Sequence, residues 1–274
     1  MPPVTESVTV DDAIIPALGL GTAPMTGREC RTSVEQALEL GYRHVDTAQM
    51  YDNEEAVGAG IAAAEVDRAD IFVTTKLNRG NLASENVRSS VDASLDRLDT
   101  AYVDLLLIHA PSHRVPIAET VKAMNELQER DQVRHIGVSN FSVEQTQAAI
   151  EASETPIVTN QVKYNPYHRQ DELLEFCIEQ DVSLTAYTPL AKGRVANDET
   201  LVAIGERYGK TGTQVTIRWL LQQPNVIAIP KASHTEHLQE NLDVFDFELT
   251  DEEMDAVFAV EGGLVDRLRG LFRQ

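Results

Sequence analysis

Short apolar runs alternate with amphipathic segments along most of this chain, and that alternation limits its fold more than any other feature. The runs are LGLGT, HVDTA, IFVTTK, YVDLLLIH, RHIGVSN, PIVTNQV, VSLTAYTPL and VIAIPK. Each is bounded by turn or polar residues and is strand-length. Between them lie segments with helical spacing. SVEQALELGYRH carries Val34, Ala37, Leu38 and Leu40, and ends at Gly41, a residue suited to a C-cap. NEEAVGAGIAAAEV starts at Asn53, SENVRSSVDASLDRL at Ser84 and SVEQTQAAIEAS at Ser142, all residue types that cap helix N-termini. IAETVKAMNELQERDQ, DELLEFCIEQ and TQVTIRWLLQQ complete the set.

Near-continuous apolar strands linked by helices mean a parallel sheet covered on its faces. Eight such strands in 274 residues predict an α/β fold, a closed (β/α)8 barrel of the TIM type. Barrels of this kind use about 250 residues. An open doubly wound sheet is the rival. Ahead of the first unit, SVTVDDAIIP alternates around an Asp-Asp pair and reads as an N-terminal β-hairpin. No linker or low-complexity tract divides the chain, so residues 1–274 are expected to form one domain, with GGLVDRLRGLFRQ as a short terminal helix.

Charge narrows the range of partners. There are 23 basic against 44 acidic residues, a formal net charge of −21. Such a field repels nucleic acid and anionic membranes. The acids are spread along helices, as in QDELLEF and LTDEEMDAV, a pattern expected of a halophilic protein whose counterions screen the repulsion. MPPVTESVTV lacks the character of a signal peptide, and no apolar run approaches the roughly 20 residues of a membrane span. A cytoplasmic location is expected. Cys30 and Cys177 are the only cysteines, fit no metal-ligand spacing and are expected to stay reduced. No metal site is predicted.

Four polar residues then stand out. Asp46 and Tyr51 lie in HVDTAQMY, Lys76 closes IFVTTK and His109 closes YVDLLLIH, so each is expected at or just beyond the C-terminal end of a strand. That is the face of a parallel barrel where catalytic groups gather. Taken singly, each has a structural reading: a strand-end acceptor, an edge aromatic, a surface lysine, a core histidine. Together they form a proton-donating carbonyl site. A tyrosine phenol, with an ordinary pKa of about 10, is a poor acid near neutrality. An ammonium beside it stabilises the phenolate it leaves behind. Lys76 fits that role, with Asp46 holding Lys76 charged and aimed at Tyr51. A neutral imidazole at His109 can orient a carbonyl oxygen.

The segments GYRHVDTAQMYDNEEAVG, SLDRLDTAYVDLLLIHAP, GVSNF, NQVKYNPY, AYTPLAKG and IPKASHTEHLQENLDVFDF resemble successive segments of the aldo-keto reductases. The likeness covers nearly the whole chain and is similar to small prokaryotic members related to 2,5-diketo-gluconate reductase. It implies an NAD(P)-dependent oxidoreductase that reduces a small carbonyl substrate, with Asp46, Tyr51, Lys76 and His109 as its tetrad. It also implies a monomer. For the cofactor it implies Gly21 and Thr22 beside Asp46. Ser139, Asn140 and Gln161 would hold the nicotinamide carboxamide, and Tyr187 would stack on the ring. Leu190, Lys192 and Gly193 would run beside the pyrophosphate. Lys231, Ser233, His237, Glu240 and Asn241 would surround the adenosine.

GLGTAP begins like a dinucleotide fingerprint but lacks the third glycine and its context, and the family binds nicotinamide cofactors without one. His237 stands where members often have an arginine for the 2′-phosphate, and an imidazole is a poorer phosphate ligand than a guanidinium. Lys231 remains, so NADP(H) is favoured, with NAD(H) or dual use as the alternative. Ala23 and Ala110 stand where members often have tryptophan, implying a wider pocket. Two rivals keep the same fold: a cofactor-binding regulatory barrel without physiological turnover, and an aldolase using Lys76 as a Schiff-base amine.

Overall fold

A computed structural model describes residues 6–260 of the chain. Strands β1 (Ser7–Val10) and β2 (Ala13–Pro16) pair antiparallel around a tight turn in which Asp11 takes a left-handed conformation, φ 51°. The expected hairpin is therefore present. Then follow β3 (Leu20–Gly21), α1 (Gly27–Leu40), β4 (His44–Asp46), α2 (Glu54–Ala63), β5 (Phe72–Leu77), α3 (Ser84–Leu98) and β6 (Val103–Ile108). The second half runs α4 (Ile117–Gln128), β7 (Val133–Ser139), α5 (Val143–Ala152), β8 (Ile157–Lys163), α6 (Asp171–Glu179), β9 (Ser183–Tyr187), α7 (Glu199–Tyr208), α8 (Gly212–Leu221), β10 (Val226–Ala228), α9 (Thr235–Leu242) and α10 (Asp251–Phe258).

Strands β3 to β10 pair in sequence order, all in parallel. The two edges then meet. Gly19 N donates to Ala228 O at 2.9 Å, Ala228 N to Ala17 O at 2.8 Å and Gly21 N to Pro230 O at 3.1 Å, which closes the barrel between β3 and β10. Gly21 is required at this seam, because a Cβ there would lie 2.6 Å from Ile229 O. The open-sheet rival is thereby excluded.

Two cores follow from the closed shape. Phe72, Leu105, Leu107, Val158 and Ile227 fill the barrel interior, and Val10, Ala13 and Ile15 of the hairpin pack on them as a plug. The larger core lies between the strands and the helical ring. Inward residues of a strand recur at every second position, so the register Gly21↔Asp46, Asp46↔Thr74 and Lys76↔Leu107 sets one C-terminal rim.

Several local expectations need correction. Helix α1 starts six residues before Ser33, because Cys30 extends the buried stripe of Val34, Ala37 and Leu38 by one turn. It ends, as read, at Gly41 with φ 115°. Ser142 makes the full capping box of α5 with Gln145. Asn53 occupies the N-cap position of α2 without capping it, since its side chain bridges loops around the site instead. Ser84 is inside α3, after Ala83 at the N-cap. Helices α7 and α9 were not anticipated, whereas LTDEEMDAV, read as helical, is α10. The expected terminal helix in GGLVDRLRGLFRQ lies outside the described residues.

Candidate active site

The rim of the barrel brings Asp46, Tyr51, Lys76 and His109 together from the ends of three neighbouring strands. Asp46 ends β4, Lys76 is the penultimate residue of β5, and His109 follows β6 directly, its N–H continuing the ladder to Leu77 O at 3.2 Å. Tyr51 comes from a single turn of 3-10 helix, Gln49–Tyr51, beyond β4. That turn is pinned from the β5 side. The Gln49 amide oxygen accepts from Asn78 N and Asn81 Nδ2, each at 2.9 Å, and its nitrogen donates to Ser90 O and Ser94 Oγ, each at 3.1 Å.

Lys76 is fully buried, yet every donor it has is directed at a partner. Its Nζ donates to Asp46 Oδ1 at 2.5 Å, to Thr47 O at 2.8 Å and to Tyr51 Oη at 3.4 Å. Burial opposes its charge, but the Asp46 carboxylate and Tyr51 outweigh burial and hold the ammonium above its ordinary range. The other Asp46 oxygen accepts from Gln161 Nε2 at 2.7 Å. A lysine so paired is a protonated one and a poor nucleophile, which argues against Schiff-base chemistry.

His109 lies edge-on to the Tyr51 ring, with centroids 5.7 Å apart. Burial, followed by the Lys76 charge, lowers its pKa to about 4, so the imidazole is neutral at neutral pH. Its Nδ1 is buried with no hydrogen-bond partner among the described residues. The site can therefore offer a phenol backed by an ammonium, with a neutral imidazole next to it.

Above this floor runs a cavity of about 1030 Å³, at the upper end of the volumes usual for small-ligand sites. Of the residues named from sequence, Gly21, Asp46, Tyr51, His109, Ser139, Asn140, Gln161 and Tyr187 line one part of it. Leu190, Lys192, Gly193, Lys231, His237, Glu240 and Asn241 line the rest. Thr22 is fully buried below the wall, where its hydroxyl and N–H both reach Asp46 O. Ser233 also lies outside the lining but accepts from Lys231 Nζ at 2.9 Å. Asn140 is heavily engaged: its nitrogen donates to His109 O and Ser139 Oγ, and its oxygen accepts from the Tyr187 hydroxyl at 2.8 Å. Ala23 is in the wall, whereas Ala110 is buried outside it.

The sequence reading missed Thr211 and Thr213, which line the cavity at the start of α8. A helix N-terminus there favours a negative ligand group. The threonine N-cap before the TQVTIRWLL run was the available signal. The segment around Leu190 also bends sharply, with Thr188, Ala191, Lys192 and Gly193 all at positive φ. Cys30 and Cys177 are free and buried, and burial raises their thiols to about 11 and about 12. Among the described residues no helix is long and apolar enough to cross a membrane, and no three His, Cys, Asp or Glu side chains are grouped to hold a metal.

Comparison with known proteins agrees with this fold. Residues 17–261 match the model of the aldo/keto reductase family. A Mycobacterium avium (strain 104) protein described as an aldo-keto reductase is 41% identical over 254 residues, covering 92% of this chain and 88% of the relative. The crystal structure of a putative 2,5-diketo-D-gluconic acid reductase B superposes with a TM-score of 0.93 at 46% identity, covering 95% of this chain and 92% of that one. The Bombyx mori aldo-keto reductase in complex with NADP superposes with a TM-score of 0.88 at 33% identity, covering 94% and 93%.

Proposed function

The chain belongs to the aldo/keto reductase family of oxidoreductases, and from that premise we propose that it reduces aldehydes and ketones to alcohols with NADPH, and with NADH as a second donor. The observation that carries the reading is the buried Lys76 ammonium, 2.5 Å from Asp46 and 3.4 Å from the Tyr51 hydroxyl, beneath the part of a large cavity that Asp46 and Tyr51 line.

Tyr51 donates its phenolic proton to the oxygen of the reduced carbonyl. Lys76 stabilises the phenolate that remains, and Asp46 keeps Lys76 charged and fixed in place. His109, neutral because burial lowers its pKa to about 4, hydrogen-bonds the carbonyl oxygen and orients it towards Tyr51. Positioned proton transfer of this kind contributes about 10²–10⁴-fold.

The chemistry of the cavity wall fits a nicotinamide dinucleotide, which when bound supplies the hydride. Ser139, Asn140 and Gln161 offer amide and hydroxyl groups for its carboxamide, and Tyr187 an aromatic wall. Gly21 and Thr22 support the same end. Leu190, Lys192 and Gly193, with the N-terminus of α8, suit the pyrophosphate. Lys231, Ser233, His237, Glu240 and Asn241 suit the adenosine end. The name of the gluconate-reductase relative makes sugar-derived dicarbonyls a first substrate class to try. We read the protein as a cytoplasmic monomer of one domain.

The test is oxidation of NADPH and NADH against aldehydes, ketones and dicarbonyls by the intact protein and by Tyr51→Phe. Turnover that drops about 10²-fold or more in Tyr51→Phe, with nucleotide affinity retained, supports the assignment. Undiminished turnover in that variant removes Tyr51 as the acid. Tight nucleotide binding without turnover on any carbonyl favours the regulatory reading instead.

A further inference from the structure

Lys231, the cation at the far end of the cavity, already has a carboxylate partner. Its Nζ lies 3.4 Å from Glu29 Oε1 and donates to Ser233 Oγ at 2.9 Å. Hydrogen bonding from Ser233, then Lys231 itself, lowers the Glu29 carboxyl below its ordinary range, so Glu29 is ionised at neutral pH. The imidazole of this end, His237, also has a carboxylate neighbour: its Nδ1 is 3.1 Å from Glu240 Oε2.

The Glu29–Lys231 contact comes from two separate dockings. Glu29 is in the first turn of α1, and α1 is fastened to α9 by Thr235 Oγ1 to Gln36 Oε1 at 2.9 Å and by Tyr42 Oη to Leu238 O at 3.1 Å. Lys231 follows β10, and Gly21 N holds that segment through Pro230 O at 3.1 Å. The backbone on both sides is thus fixed before any ligand arrives, and the two side chains meet across 202 residues of sequence.

A carboxylate placed there has opposite consequences for the two ribose forms. A 2′-phosphate carries roughly −1.5 to −2 charges, so it is attracted by Lys231 and repelled by Glu29. A ribose diol is neutral and can donate a hydrogen bond to the carboxylate. We propose that Glu29 is a specificity-determining residue: by engaging Lys231 and Ser233 it weakens the hold of the adenosine end on a 2′-phosphate and opens the enzyme to NAD(H). The proposal rests on the reading of the cavity as a nicotinamide dinucleotide site.

Calorimetric titration of the full chain and of Glu29→Gln with NADP+, NAD+, adenosine 2′,5′-bisphosphate and AMP tests it. Glu29→Gln is expected to tighten NADP+ and the bisphosphate about fivefold while NAD+ and AMP stay within about twofold, and Glu29→Asp is expected to behave like the parent. The selective gain is expected to shrink as salt screens these exposed charges. An equal change for all four ligands, or no change, overturns the proposal while leaving the cavity reading intact. A parent protein that binds none of the four overturns both.

Discussion

Gln161 Nε2 donates to Asp46 Oδ2 at 2.7 Å while Lys76 Nζ takes Asp46 Oδ1 at 2.5 Å, so one buried carboxylate ties β4 to β5 beside it and to β8 across the barrel. Asp46 and Lys76 are both essentially inaccessible. Charges so placed are retained only as a pair, since removing one partner strands the other in a medium that solvates it poorly.

Asp46→Asn is therefore expected to lose about 3–5 kcal/mol of stability, and Lys76→Met a similar amount. The double variant Asp46→Asn/Lys76→Met is expected to be more stable than either single one, although it should not turn over. Urea denaturation of the four proteins checks this. Losses that simply add in the double variant would mean that the two charges are not coupled.

How much of this was legible in the sequence follows from what each feature depends on. The strand ends carrying Asp46, Lys76 and His109 could be read because apolar runs of fixed length in a parallel sheet all finish on one rim. Tyr51 was legible as a residue type but not as a place, since a single 3-10 turn has no periodicity to reveal it. The Gln161–Asp46 bond was hidden for another reason. It joins residues 115 apart and exists only once the barrel has closed. Glu29 was missed in the same way, because its partner Lys231 lies at the other end of the chain. Helix α9 was quoted only as a cofactor stretch, its short apolar stripe of Leu238 and Leu242 being too sparse to mark eight helical residues.

Stability should fall on mild acidification through the histidines. His44, His109 and His135 are all held below their ordinary pKa, in each case first by burial, and for His109 the value is about 4. A group depressed in the folded state stays neutral there while the unfolded chain binds a proton. The stability it contributes is thus present above the ordinary value of about 6.5 and is lost as pH falls towards the folded value. Glu253, lowered despite its burial by Tyr208, Thr250 and Arg207, acts only below the ordinary carboxylate range, so the two windows separate. In molar KCl, where surface repulsion is screened, the urea midpoint is expected to drop between pH 7 and pH 5. A flat midpoint over that interval would contradict the assignment of these histidines as buried and neutral.

Salt itself should matter because of where the acids are. The buried ones each face a base: Asp46 with Lys76, Glu54 with Arg97, Asp104 with Arg68 and Arg134, and Glu253 with Arg207. The formal excess of 21 negative charges is therefore carried outside the core, where it disfavours the compact state. Screening shortens the reach of that repulsion from about 30 Å at 0.01 M salt to about 10 Å at 0.1 M and about 3 Å at 1 M. The melting temperature is expected to rise with KCl, and most steeply in the lower part of this range, where the screening length shrinks fastest. Sucrose at matched osmolality, which strengthens burial without screening charge, should not reproduce that early rise. Equal melting temperatures in dilute buffer and in molar KCl would show that the acidic surface imposes no measurable strain. A rise confined to molar concentrations and matched by sucrose would assign the effect to burial instead of charge.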